Sequence, residues 1–214
     1  MPVGSSFGTV LQALIALIAI ANPLAAVPVF LSLVPANDPA AQRQAARRVA
    51  IAVFAILSGA VLVGRLVLEM FGVSFAAFRV GGGLVVTLTG LDMLRSRHWE
   101  PPDEAVTTTA VDQLVVPVAM PLIAGPGTII TAMTMAARGA GVVRPSLVLM
   151  AVGVVAAVVW MVLALSGVLQ QRIGVRGQAI VSRFMGLVLV AIGAQLVLGG
   201  IAEFFALAIA AGDR

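Results

Sequence analysis

Two short segments carry the residue types best suited to recognition chemistry. One is Asn22-Pro23-Leu24-Ala25-Ala26-Val27-Pro28, and the other is Met120-Pro121-Leu122-Ile123-Ala124-Gly125-Pro126-Gly127-Thr128. Each reads proline, four residues, proline, with Leu after the first proline. Proline has no amide hydrogen and its ring clashes with the carbonyl one turn back, at a cost of about 3 kcal/mol inside a helix. Two prolines so close together leave several backbone groups without helical partners. A helix broken there ends in free carbonyls, which suit an ammonium or a cation. The next half-helix starts with free amides and roughly half a positive charge, which suit a carboxylate.

The neighbouring side chains sharpen that chemistry. Asn22 and Thr128 can add hydrogen bonds, while Gly125 and Gly127 remove bulk where a ligand must touch backbone. Ala21, Ala25, Ala26 and Ala124 leave little side-chain volume to cradle anything large. Pro23 and Pro126 set the breaks themselves. Two facing breaks fit a small, polar, net-neutral solute held at both ends. The same small residues also permit close helix packing.

Covalent and metal chemistry have few candidates. The chain has no Cys, no Tyr and a single His, which removes disulfides, thiolate zinc and thiol redox relays. The lone His98 falls in a polar connection, and the absence of Lys rules out a phosphate-cradling P-loop. No enzyme activity, metal or cofactor is expected. Asp92 and Gln195 are more interesting. Each lies two residues beyond a pair of glycines seven apart, Gly83 and Gly90 in one case, Gly186 and Gly193 in the other. Gln195 is a candidate solute contact, and Asp92 a candidate coupling carboxylate that can also reach the interface beside Arg95. Thr89 is a candidate supporting contact, although Thr87 and Thr89 can both bond back to their own helix. Glu203 is expected at the interface, and Arg65 and Glu69, one turn apart, are expected to pair.

These residues must be positioned by membrane helices. Of the 214 residues 61% are apolar and 10% charged, with a mean hydropathy of +1.12, against about 25% charge in an ordinary soluble domain. Crossing about 30 Å of hydrocarbon takes roughly 20 apolar residues. The pattern predicts six spans, near 8–34, 46–70, 74–95, 113–137, 145–169 and 181–208, the uncharged opening being a retained span. These runs are too long, and too evenly apolar, for barrel strands. Eight of the thirteen arginines fall on the inner side if both termini lie outside, which sets that orientation. They are scattered, so nucleic acid is not an expected partner.

A polar stretch at 98–112 divides the chain into halves, 1–97 and 113–214, within one membrane domain. The proline segments match at a separation of 98 residues and the glycine pairs at 103. An odd number of spans per half forces the second copy to lie inverted, an arrangement common among secondary transporters. The expected fold is thus an all-α polytopic membrane protein, six transmembrane helices as two inverted three-helix repeats with discontinuous helices 1 and 4.

These motifs, with Arg79-Val80-Gly81-Gly82-Gly83-Leu84 and Ser182-Arg183-Phe184-Met185-Gly186, resemble the MarC family of bacterial inner-membrane proteins, also called the SnatA or neutral amino acid transporter family. The similarity runs through essentially the whole chain. It implies a secondary transporter of glycine, alanine and similar small neutral amino acids, proton-linked, with Asn22, Pro23, Gly125, Pro126, Gly127 and Thr128 at the matching motif positions. The expected partners are that solute and membrane lipid, with a homo-oligomer left open. Two other functions fit less well. A drug or metabolite efflux pump would want a large aromatic cavity, whereas aromatics make up 5%. A non-transporting scaffold would not need two matched breaks.

Overall fold

The computed structural model describes residues 6–34, 38–95, 123–137 and 143–212, and all of its regular structure is helical. Seven helices follow in chain order: α1 Ser6–Ala21, α2 Pro23–Leu33, α3 Pro39–Met70, α4 Phe75–Leu94, α5 Pro126–Ala137, α6 Val143–Ala164 and α7 Ser166–Gly212. Five stretches among the described residues are long and apolar enough to span a bilayer: Ala13–Leu31, Pro39–Met70, Phe75–Leu94, Pro145–Ala164 and Ala179–Ala206. The first of these crosses the junction between α1 and α2. At 12 residues, α5 is about 18 Å long, too short to cross alone. The expected span over 113–137 is therefore described only in its second part. The linker at 98–112 lies outside the described residues, as do Met120 and Pro121.

Local sequence accounts for the helix starts. Asp38 caps α3 by accepting from the amides of Ala40 and Ala41, both at 3.0 Å, and Pro39 takes the first helical position, where a missing N–H costs nothing. Ser74 caps α4 through the Ala77 amide at 3.2 Å. Between them the chain turns at Gly72, whose φ of 67° belongs to the left-handed region that glycine enters freely. The long α3 carries an uncharged apolar stretch bounded by Arg48 and Arg65, about 24 Å of helix, and its apolar run continues past Arg65 towards Met70. Arg65 pairs with Glu69 at 2.9 Å on an exposed face, as the spacing predicted.

The last two spans differ in their ends from the sequence expectation. Helical hydrogen bonding continues through Leu165, whose amide reaches Met161 and whose carbonyl receives Leu169. The polar stretch after residue 169, expected to be a loop, stays helical except at Gly174, with φ 64° and ψ 172°. A residue without a Cβ is what allows the chain to change direction there.

Two apolar clusters organise the packing. The larger joins α1, α2, α3, α5 and α6 around Leu17, Phe30, Val53, Leu57, Ile123 and Val155. The smaller joins α4 and α7 through Val86, Leu189 and Leu196. Large apolar residues such as Ile15, Leu62, Leu88, Ile180 and Leu198 are left exposed along the spans, the inside-out surface of a chain solvated by lipid.

Glycine sets the α4–α7 contact, the most extensive helix pairing among the described residues. A Cβ on Gly83 would stand 2.7 Å from the Gly193 carbonyl, and one on Gly193 at 2.7 Å from that of Gly83. Gly90 and Gly186 oppose each other in the same way, at 2.6 and 2.8 Å. Pairing 83 with 193 and 90 with 186 makes the two helices antiparallel. Such backbone-to-backbone approach is how small residues drive helix association in lipid.

Candidate functional site

The first span breaks at the expected place. Helix α1 ends at Ala21 and α2 begins at Pro23. Between them Asn22 adopts φ 35° and ψ 65°, a left-handed conformation that Asn tolerates better than most residues but that still costs about 1–2 kcal/mol. The break is compact: the Asn22 amide donates to Ile18, and the Ala25 amide reaches back to the Asn22 carbonyl, both at 3.0 Å. The Asn22 side chain does not cap α2. The residue is buried, and its Nδ2 has no hydrogen-bond partner among the described residues. A buried amide left open in this way is costly and marks a place where a ligand or water belongs. Pro23 is buried and Ala25 half-buried, while Pro28 continues inside α2.

Helix α5 begins at Pro126, the expected proline, although at the 98-residue separation Pro126 corresponds to Pro28, which lies inside α2. Its first helical bond runs from the Ile129 amide to the Gly125 carbonyl at 3.1 Å, which makes Gly125 the N-cap residue. Glycine offers no side-chain oxygen to the first turn, so nothing on the cap residue covers the amides of Gly127 and Thr128. The Thr128 hydroxyl instead donates to the Ile123 carbonyl at 2.7 Å, tying the helix start to the segment before it. Gly125, Gly127 and Thr128 are buried and Pro126 is exposed.

The two helix ends lie side by side. Ile20, two residues before Asn22, comes within 3.4 Å of where a Cβ on Gly127 would stand, and Ala21, Ile123 and Ala124 share one core cluster. Val86 of α4 would meet that same Cβ at 2.6 Å. The side-chain direction of Gly127 is thus filled by α4 rather than left open above the break. Its missing side chain serves close packing, and only its backbone faces the helix start.

The remaining sequence candidates are not gathered at the break. Thr89 is exposed on α4 and donates to Val85 at 2.9 Å, while Thr87 donates to Gly83 at 2.8 Å. Asp92 is exposed near the end of α4. Gln195 is exposed on α7 as a whole, yet its side chain lines a small cavity with Thr131 and Thr134 of α5. Those two threonines were not singled out from the sequence, although their three-residue spacing after Thr128 was there to be read.

Glu203, expected at the interface, reaches Arg79 of α4 at 2.8 Å, with side chains 39% and 11% exposed. The two are 124 residues apart, so no local pattern announces the pair. Among the described residues no cluster of His, Cys, Asp or Glu could hold a metal ion.

An all-helical bundle with a broken first span, a second helix starting on glycine and proline, and a lipid-facing apolar surface defines a multi-pass integral membrane protein. The family model described as MarC family integral membrane protein matches residues 7–205. The chain belongs to the MarC family. It is 33% identical over 207 residues to the UPF0056 inner membrane protein MarC of Salmonella typhimurium, covering 89% of this chain and 92% of that one. It is 31% identical over 191 residues to a UPF0056 membrane protein of Pyrococcus abyssi, covering 89% and 93%. A UPF0056 membrane protein of Methanocaldococcus jannaschii is 33% identical over 185 residues, covering 85% and 90%. No solved structure matches the chain.

Proposed function

We propose that this protein is a secondary transporter of small neutral amino acids such as glycine and alanine, proton-linked, in the bacterial inner membrane with both termini outside. The observation that carries the reading is the pairing at the centre of the larger cluster. A break at Asn22 with an unpartnered buried amide lies against the start of α5, whose N-cap residue is a glycine. The solute carboxylate takes the open amides of Gly127 and Thr128, with the Asn22 amide beside them. The ammonium takes the carbonyls at the end of α1. Small residues around both ends suit a solute whose own side chain is hydrogen or methyl.

Support for six spans as two inverted repeats comes from the glycines. Gly83 and Gly90 correspond to Gly186 and Gly193 in the repeat, and each contacts the partner of the other across an antiparallel crossing, as a two-fold relation requires. In this reading α5 is the second half of the fourth span. Alternating access then rocks one half against the other around the breaks, and Asp92 is the carboxylate through which protons couple.

Uptake of labelled glycine by proteoliposomes containing the purified protein tests the reading. Saturable uptake, inhibited by alanine and stimulated by an imposed proton gradient, is expected for the wild type, with the gradient effect lost in Asp92→Asn. Uptake no greater than that of empty liposomes would count against transport of this class.

A further inference from the structure

The three threonines of α5 sit in different circumstances. Thr128 spends its hydroxyl on the Ile123 carbonyl at 2.7 Å. Thr131 and Thr134 are equally buried, 3% and 1% exposed, yet among the described residues neither hydroxyl has a hydrogen-bond partner. Leaving a hydroxyl buried and unpaired costs about 1–3 kcal/mol, and here it happens twice within one turn. The habit does not belong to threonine as such in this chain. On α4, Thr87 and Thr89 each turn back to a carbonyl four residues earlier, the usual way a helix absorbs a hydroxyl. Thr131 and Thr134 forgo that bond, and both residues line one cavity.

The cavity has a volume of about 100 Å³ and lies between α1, α5 and α7. Ala16, Met135, Ile192 and Leu196 are its apolar lining, and Thr131, Thr134 and Gln195 are its polar residues. Among the described residues no charged side chain lines it. Along α5, Thr131 and Thr134 lie about 5 and 9 Å beyond Thr128, so the cavity lies roughly one and a half to two turns beyond the start of the helix. Hydroxyls and an amide both donate and accept. They can satisfy either end of a zwitterion without holding it as a fixed charge would, and they offer no counter-charge to a net ion. A space that admits a few waters of about 30 Å³ each takes a solute of a few heavy atoms and excludes an aromatic side chain.

We propose that this cavity is a second, hydrated resting site for the transported solute, between the helix breaks and one face of the membrane. Thr131, Thr134 and Gln195 hydrogen-bond a small net-neutral amino acid there. The inference rests on the transporter reading, which wild-type glycine uptake tests separately.

Because the natural chain has no cysteine, Thr131→Cys and Thr134→Cys each introduce a single thiol of nearly the same size. In membranes, a small hydrophilic methanethiosulfonate should modify either thiol at least ten-fold faster than one placed by Val155→Cys in the apolar core, and glycine should slow the reaction several-fold. Failure of glycine to slow modification at both positions overturns the proposal, whether the thiols react or not. A second pair of variants covers a fold disturbed by the thiol. Thr134→Val removes an unpaired buried hydroxyl, so it should raise the melting temperature while raising the KM for glycine uptake at least five-fold, and Thr134→Ser should restore the KM. A melting temperature that falls, or a KM that stays unchanged, contradicts a solute-facing hydroxyl.

Discussion

The α4–α7 pair and the α1–α2–α5 junction are built from the same small residues and put them to opposite uses. In α4–α7, glycine faces glycine so that main chains touch, and the threonines bond back to their own helix. At the junction, small residues surround backbone that a helix cannot satisfy, and Asn22, Thr131 and Thr134 keep polar atoms unpaired. Small residues alone therefore do not mark a site. Lipid supplies no hydrogen bonds, so buried polar groups persist without partners only where packing holds them and something else completes them.

The largest expected effect belongs to the closed region. Gly90→Val would drive a Cβ into the Gly186 carbonyl and the Val190 amide at 2.6 and 2.8 Å, and neither backbone can yield. A loss of more than about 3 kcal/mol is expected, seen as unfolding or aggregation in thermal scans of detergent-solubilised protein. Gly81, with nothing within 4 Å of its Cβ position, is the control: Gly81→Ala should melt at or slightly above the wild-type temperature. Equal tolerance of both changes would dissolve the contrast between the regions.

Next in size is the ion pair that fastens the end of α7 to α4. Glu203→Ala leaves the mostly buried Arg79 guanidinium without its partner. About 2 kcal/mol of destabilisation is expected, below the figure for a fully buried pair because Glu203 is partly exposed. Restoration by the exchanged pair Arg79→Glu with Glu203→Arg would assign the effect to charge, whereas an unchanged melting temperature would remove the pair from the account. The smallest effect is Thr87→Val, which deletes a bond made within one helix. About 0.5 kcal/mol is expected, with glycine uptake unaltered, in contrast to Thr134→Val.

The sequence made some of this legible and hid the rest for physical reasons. The break at Pro23 and the helix start at Pro126 could be read because a missing amide and a ring clash act within one turn, whatever surrounds them. The seven-residue glycine spacing marked one face of each helix. It could not say that Gly83 would meet Gly193, since that depends on the direction in which the helices cross. The Arg79–Glu203 pair was hidden for the same reason. Gly127 illustrates a subtler limit: its smallness pointed to a ligand, and the neighbour that fills its side-chain direction is Val86, brought there by the fold. Thr131 and Thr134 looked like ordinary helical threonines, and only packing distinguishes them from Thr87. Gln195 was legible as a polar residue within a span, but the cavity it lines was not.

The central claim is that the helix break at Asn22 holds a small zwitterion. Asn22→Gly tests it most directly, because glycine keeps the left-handed φ of 35° without strain and removes only the unpartnered amide. Calorimetric titration of the purified protein with glycine should give saturable binding to the wild type and at least ten-fold weaker binding to Asn22→Gly, with melting temperatures within a few degrees of each other. Equal affinity in the two proteins, or no saturable binding to the wild type, would contradict the account.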